Sequence, residues 1–75
     1  MDIADLRVFE AVARAGGMNR AAVELNTVQS NITARIKALE ADIGRPLFER
    51  RPRGVALTAA GRCVIAQVMN PQPIR

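Results

Sequence analysis

Two apolar stripes of helical period, separated by only two residues, constrain this chain more than any other feature in it. Met18, Ala21, Ala22 and Leu25 recur at i, i+3, i+4 and i+7, and Ile32, Ile36, Leu39 and Ile43 line one face of a following stretch. Only Asn26 and Thr27 separate the two patterns, so the prediction is a helix, a tight turn and a second helix. The adjacent alanines at 21 and 22 let a neighbouring helix approach closely. Asn19 is a good N-cap for the shorter helix, with Met18 and Val23 placed as a hydrophobic staple, and Gly44-Arg45-Pro46 stops the longer one.

The flanking segments complete a small domain. Upstream, Ile3, Leu6, Phe9, Val12 and Ala13 predict an amphipathic helix over Asp2 to Ala15 that ends at Gly16-Gly17. Asp2 and Asp5 lie near its start and Arg14 near its end, the order that complements the helix dipole. After Pro46 the period changes to two short β-compatible pieces, Leu47 to Arg50 and Val55 to Leu57. Arg51-Pro52-Arg53-Gly54 between them is a turn, and the unit reads as a hairpin, or wing. Thr58 caps a last helix with an inward stripe of Gly61, Ile65 and Val68, Val64 beside it, and Pro71 and Pro73 prevent its continuing far past Asn70.

Seventy-five residues hold one core, since a chain this short buries only ~60% of its unfolded surface. With no histidine, a single cysteine (Cys63) and a single serine (Ser30), the chain cannot assemble a Ser-His-Asp triad, a Cys-His dyad or a Cys/His zinc cluster. An enzyme is therefore not expected, nor any metal or cofactor. Asp2/Asp5 and Glu40/Asp42 read as helix-end or solvated charges, and Cys63 as a small packed thiol. The lone cysteine and the lack of a long apolar run imply a cytoplasmic protein without a membrane partner.

Charge is distributed unevenly. Six basic and all seven acidic residues precede Arg50, a net of −1, whereas five arginines and no acid follow from Arg50 onward, a net of +5. Ten of the eleven cations are arginine, whose planar fork suits phosphates and base edges, so a polyanionic partner is implied. The longer helix of the pair carries a matching face. Burying Ile32, Ile36, Leu39 and Ile43 turns Ser30, Ala34, Lys37 and Ala41 outward, flanked by Asn31 and Thr33. Small and hydrogen-bonding groups there allow close approach to base edges in a major groove about 12 Å wide. Gln29 is placed to contact adenine, Ser30, Asn31 and Thr33 to reach base edges or phosphates, and Lys37 to hold phosphate. Arg35, closer to the apolar boundary, is assigned to backbone positioning. Arg50, Arg51 and Arg53 on the hairpin are placed to meet phosphates or a narrow minor groove.

The landmarks Leu6-Arg7-Val8-Phe9 with Val12-Ala13, Gly17-Met18-Asn19-Arg20-Ala21-Ala22 through Leu25, and Gln29-Ser30 with Ile32-Thr33 occur in a telling order. They are followed by Leu39-Glu40 with Ile43-Gly44, Leu47-Phe48 with Arg50, Arg53-Gly54, and Leu57-Thr58 with Ala60-Gly61. In these residues the chain resembles the N-terminal domain of LysR-type transcriptional regulators. The resemblance implies a mainly α, winged helix-turn-helix fold of three helices, a small β-hairpin wing and the start of a linker helix. It further implies sequence-specific binding of double-stranded DNA by a homodimer joined through the last helix. The recognition helix, from about Val28, would enter the major groove and the wing would cover adjacent backbone or minor groove. Gln29, Ser30, Thr33, Arg50 and Arg53 take contact roles by position.

Three departures accompany the resemblance. Many family members carry Ser or Thr where this chain has Val28, leaving Thr27 as the substitute cap. Many place arginine one residue after Thr33, where Ala34 stands here and Arg35 follows. The family's long linker helix leads to an effector-sensing domain, whereas this sequence meets Pro71 and Pro73 and stops at Arg75, the expectation for a fragment or a truncated product without a small-molecule effector site. The expected division is 1–58 for the DNA-binding domain, 59–70 for a shortened linker and dimerisation helix, and 71–75 for a frayed tail. A competing reading from another class is a protein-interaction module that pairs with a full-length regulator through Val8, Val68 and Met69.

Overall fold

The computed structural model describes residues 3–69, with side-chain environments through Gln67. The expectations for Asp2, for the side chains of Val68 and Met69 and for the tail at 71–75 lie outside the described residues. Helices α1 (Ile3–Ala15), α2 (Met18–Glu24) and α3 (Gln29–Ile43) are followed by strands β1 (Phe48–Arg51) and β2 (Gly54–Leu57) and by helix α4 (Ala59–Met69). The strands form one antiparallel hairpin in which Phe48 faces Leu57 and Arg50 faces Val55. Among the described residues no helix is long and apolar enough to cross a membrane.

The apolar stripes meet in one core. Phe9, Val12, Ile32, Ile36, Leu39 and Leu47 are its largest fully buried side chains, and Ala21 and Ala22 bring α2 close to them. Burying side chains of this size contributes roughly 1.5–3 kcal/mol each. The ring of Phe48 lies 5.3 Å from that of Phe9, tilted by 50°, so the hairpin root is anchored on α1. Ile3 belongs to the sequence stripe but is 72% exposed, because the core begins only a turn later at Leu6 and Val8. Val8, expected on a docking surface, is buried.

The turn between α2 and α3 is closed by backbone geometry. Asn26 adopts φ 56, and the amide N–H groups of Asn26 and Thr27 donate to the carbonyls of Val23 and Ala22. That pair of bonds is a Schellman ending with asparagine in the left-handed position usually taken by glycine. The helix starts differ from the sequence expectations. Gly17, in extended conformation, is the N-cap of α2, because the Gly16-Gly17 turn delivers the chain directly into Met18. Asn19 thus lies inside the helix, and Val23, 81% exposed, staples nothing. At α3 the N-cap is Val28 without a side-chain cap hydrogen bond. Thr27 does not substitute for it: its Oγ1 accepts from Asn31 Nδ2 at 2.9 Å.

Long-range hydrogen bonds fix the hairpin relative to α3. Glu40, expected as a solvated charge, accepts the Leu47 amide N–H at 2.7 Å and the Phe48 N–H at 3.4 Å on Oε2. Thr58 donates its backbone N–H to the Leu47 carbonyl and its Oγ1–H to the Pro46 carbonyl, and the same hydroxyl oxygen caps α4 by accepting the Gly61 N–H at 3.1 Å. Such a cap contributes about 1 kcal/mol. On α4, Val64 and Ile65 pack against the core while Cys63 is exposed, so the thiol is not the packed group expected. Arg14 donates to Glu10 within α1 and to Glu24 of α2, at 2.8 Å each, and the second bond ties the two helices together. Its hydrogen bond holds the Glu10 carboxyl below the usual range despite some desolvation. The support from a depressed carboxylate is present at neutral pH and fades as acid drives the pH down through the lowered value.

Candidate nucleic-acid interface

The predicted contact residues fall on different sides of α3. At about 100° per residue, Gln29, Thr33, Lys37 and Glu40 share the flank nearest the hairpin, Ser30, Ala34 and Ala41 face straight out, and Asn31, Arg35 and Asp42 take the flank nearest α1. The contacts agree with that wheel. Thr33, Lys37 and Glu40 line a small cleft of about 110 Å³ together with Phe48, Arg50 and Val55 of the hairpin. On the other flank Arg35 donates Nη1 to Asp5 Oδ1 of α1 at 3.0 Å. Its guanidinium is turned toward the body of the domain, although nearly half exposed.

A second, wider groove of about 370 Å³ joins the start of α3 to the wing. Gln29 lies on one wall, Arg50, Arg51, Pro52 and Arg53 on the other, and the Gly16-Gly17 turn with Met18, Asn19 and Arg20 forms the floor and end. Every acidic residue is absent from its lining. Arginines along a concave wall that no acid lines focus a positive potential there. Arg20 is the functional candidate that the sequence reasoning passed over. Its signal was adjacency to Asn19 at the start of α2, which the placement of Asn19 as a cap concealed.

The three wing arginines are not equivalent. In the hairpin register Arg50 shares a sheet face with Phe48, Val55 and Leu57, so it leaves the apolar root and reaches the clefts beside α3. Arg51 lies on the opposite face with Glu49, whose carboxylate is 3.5 Å from its guanidinium. Arg53 stands in the turn, on the groove side. Ser30 and Asn31 are exposed on α3 but line neither groove, and the Asn31 amide is partly engaged with Thr27.

A close backbone approach holds the wing at this angle. The Val55 N–H donates to the Gly16 carbonyl at 3.1 Å, and a Cβ on Gly54 would overlap that same oxygen. Gly54 also has φ +145, where side chains are rarely accommodated. The wing is thereby joined to the α1–α2 turn at its tip, to α3 through Glu40 at its root, and to α4 through Thr58.

Comparison with known proteins places this arrangement among relatives. Residues 3–62 match the family model described as bacterial regulatory helix-turn-helix protein, lysR family. The HTH-type transcriptional regulator CzcR of Bacillus cereus is 52% identical over 68 residues, covering 91% of this chain and 24% of its own length. YofA of Bacillus subtilis, also an HTH-type transcriptional regulator, is 54% identical over 61 residues, which are 81% of this chain and 21% of that protein. The chain thus spans about a quarter of the length of the curated relatives it matches. Among solved structures, the CbnR_DBD-DNA complex superposes with a TM-score of 0.88 at 45% identity, covering 92% of this chain and 79% of that one. The BenM_DBD/catB site 1 DNA complex gives 0.88 at 30% identity, covering 92% and 77%.

Proposed function

The chain belongs to the LysR family of bacterial regulatory helix-turn-helix proteins, and from that premise we propose that it binds double-stranded DNA sequence-specifically to regulate transcription, in the cytoplasm and without catalysis. The observation that carries this reading is the single groove in which Gln29 at the start of α3 faces the arginines of the wing. Similar chains have been solved as DNA complexes. In the proposed complex α3 enters the major groove. Gln29, Ser30 and Thr33 read base edges, and Lys37, Arg50 and Arg53 hold the backbone, with Arg51 and Asn31 in weaker, outer roles. Arg35 acts from its ion pair with Asp5, positioning the backbone contacts rather than reading bases.

Base readers and phosphate holders separate experimentally. Gln29→Ala and Thr33→Ala are expected to shift the sequences recovered from a random-core duplex pool, with a loss of about 1–3 kcal/mol on the preferred sequence and little on others. Wild-type affinity is expected to fall steeply with salt. Equal losses on every sequence from both variants would contradict the assignment of these two side chains to base edges.

In the same proposal residues 1–58 form the contact unit and 59–70 begin a dimerisation helix, with two copies reading half-sites about one helical turn apart. Val64 and Ile65 are half-buried against the core, and a helix as short as α4 pairs weakly in free solution. Sedimentation is therefore expected to give monomer at micromolar concentration without DNA and two chains on a duplex carrying two half-sites. One chain per such duplex would refute the dimer.

A further inference from the structure

We propose that Val28 is a specificity residue that reads the 5-methyl group of a thymine in the major groove. The inference rests on the DNA-binding reading above and adds a recognised chemical group to it. Val28 is 60% exposed and stands at the N-cap of α3, in extended conformation, immediately before Gln29 of the arginine-lined groove. Nothing in the fold accounts for an apolar side chain there. It lies outside the core cluster and makes no cap, and its carbonyl alone serves the helix by accepting from the Asn31 and Ile32 amides.

The position has a distinct chemical meaning when α3 enters a major groove. Base edges there present hydrogen-bond donors and acceptors, and the thymine 5-methyl is their one apolar group. A β-branched side chain cannot satisfy a donor or acceptor, so against any other base it desolvates polar edges without return. Against thymine, the two valine methyls exclude water from a third. Their stiff χ1 means that little side-chain freedom is lost on contact. Because Gln29 follows directly, the thymine lies next to the base that Gln29 contacts. A serine at position 28 would instead cap the helix and leave that methyl unread.

Deoxyuridine lacks only the 5-methyl, so substituting it for single thymidines isolates the contact. The probe is a duplex recovered by the wild-type chain from a random-core pool and resynthesised with one thymidine at a time replaced. For the wild type, one such replacement in each half-site is expected to weaken binding about fourfold, the worth of one buried methyl-sized group. Val28→Ser, which can still cap α3, is expected to bind the thymidine and deoxyuridine versions alike at that position and to keep its sensitivity elsewhere. Val28→Ala, which brings no hydroxyl that could make a new contact, is expected to narrow the same ratio, its single shorter methyl reaching the base less closely. Because the readout is a ratio for each protein, altered folding stability does not move it. A wild type indifferent to every replacement, or variants that retain the full fourfold ratio at the same position, would overturn the assignment to Val28 while leaving DNA binding intact. Failure of the wild type to recover any duplex would instead remove the DNA-binding reading itself.

Discussion

Changing Arg50 and Arg53 together to alanine is expected to lower affinity for duplex DNA about 100-fold near ~0.1 M salt, on preferred and unrelated sequences alike. Each guanidinium stands in the acid-free groove, one at the inner edge of β1 and the other in the turn. A charge-assisted bond to phosphate contributes about 1.5–3 kcal/mol, so two losses at the lower, solvent-exposed end of that range, about 3 kcal/mol together, account for a factor on the order of 100. The dependence of log affinity on log salt should flatten by about two contacts. Arg51→Ala is the internal comparison: Arg51 also lines the groove, but its guanidinium is engaged by Glu49 at 3.5 Å, and a loss of only a few-fold is expected. A larger loss from Arg51→Ala than from the double variant's two positions would place the contact surface on the wrong face of the wing.

Gly54→Ala is expected to be among the most damaging single changes outside the apolar core. The new methyl would overlap the Gly16 carbonyl and require alanine at φ +145, and each of these costs about 1–3 kcal/mol. A combined loss of about 3 kcal/mol corresponds to a fall in Tm on the order of 15 °C for a domain of this size. If the tip relieves the overlap by lifting away, the Val55 hydrogen bond to Gly16 breaks and DNA affinity falls instead. Gly44→Ala separates the two causes. It shares a left-handed backbone, φ +82, but has open space around it, and should cost about 1 kcal/mol. Thermal melts and DNA titrations of both variants check this. A Gly54→Ala chain with unchanged Tm and unchanged affinity would show that the close approach of wing and α1–α2 turn is not needed.

Local pattern carried the legible part of this fold. The stripe from Ile32 to Leu39 repeats often enough to orient α3, and so placed Ser30, Ala34 and Lys37 outside correctly. The change of period after Pro46, with Arg51-Pro52-Arg53-Gly54, located the hairpin to within a residue. What the sequence concealed depends on partners distant along the chain. Glu40 looks like any helix-surface acid until Leu47 and Phe48 present their amides to it, and Gly54 looks like an ordinary turn glycine until Gly16 comes within reach. The two stripes placed the turn at Asn26-Thr27, but not its left-handed backbone, because asparagine also serves as a cap or loop residue and no glycine marks the position. For the contact surface, the wheel of α3 was readable, whereas its division between a wing flank and an α1 flank was not. Arg35 could be assigned to the latter only once Asp5 was seen beside it.

Amide chemical-shift mapping of the wild-type chain, with and without a recovered duplex, tests the central claim most directly. On such a duplex cut to a single half-site, so that no second copy pairs through α4, the account predicts that the largest changes fall on 28–37 of α3, on 50–54 of the wing and on the 16–20 turn, with α4 and the outer side of α1 little altered. Changes concentrated on α1 and α4, with the wing and the start of α3 unmoved, would contradict it.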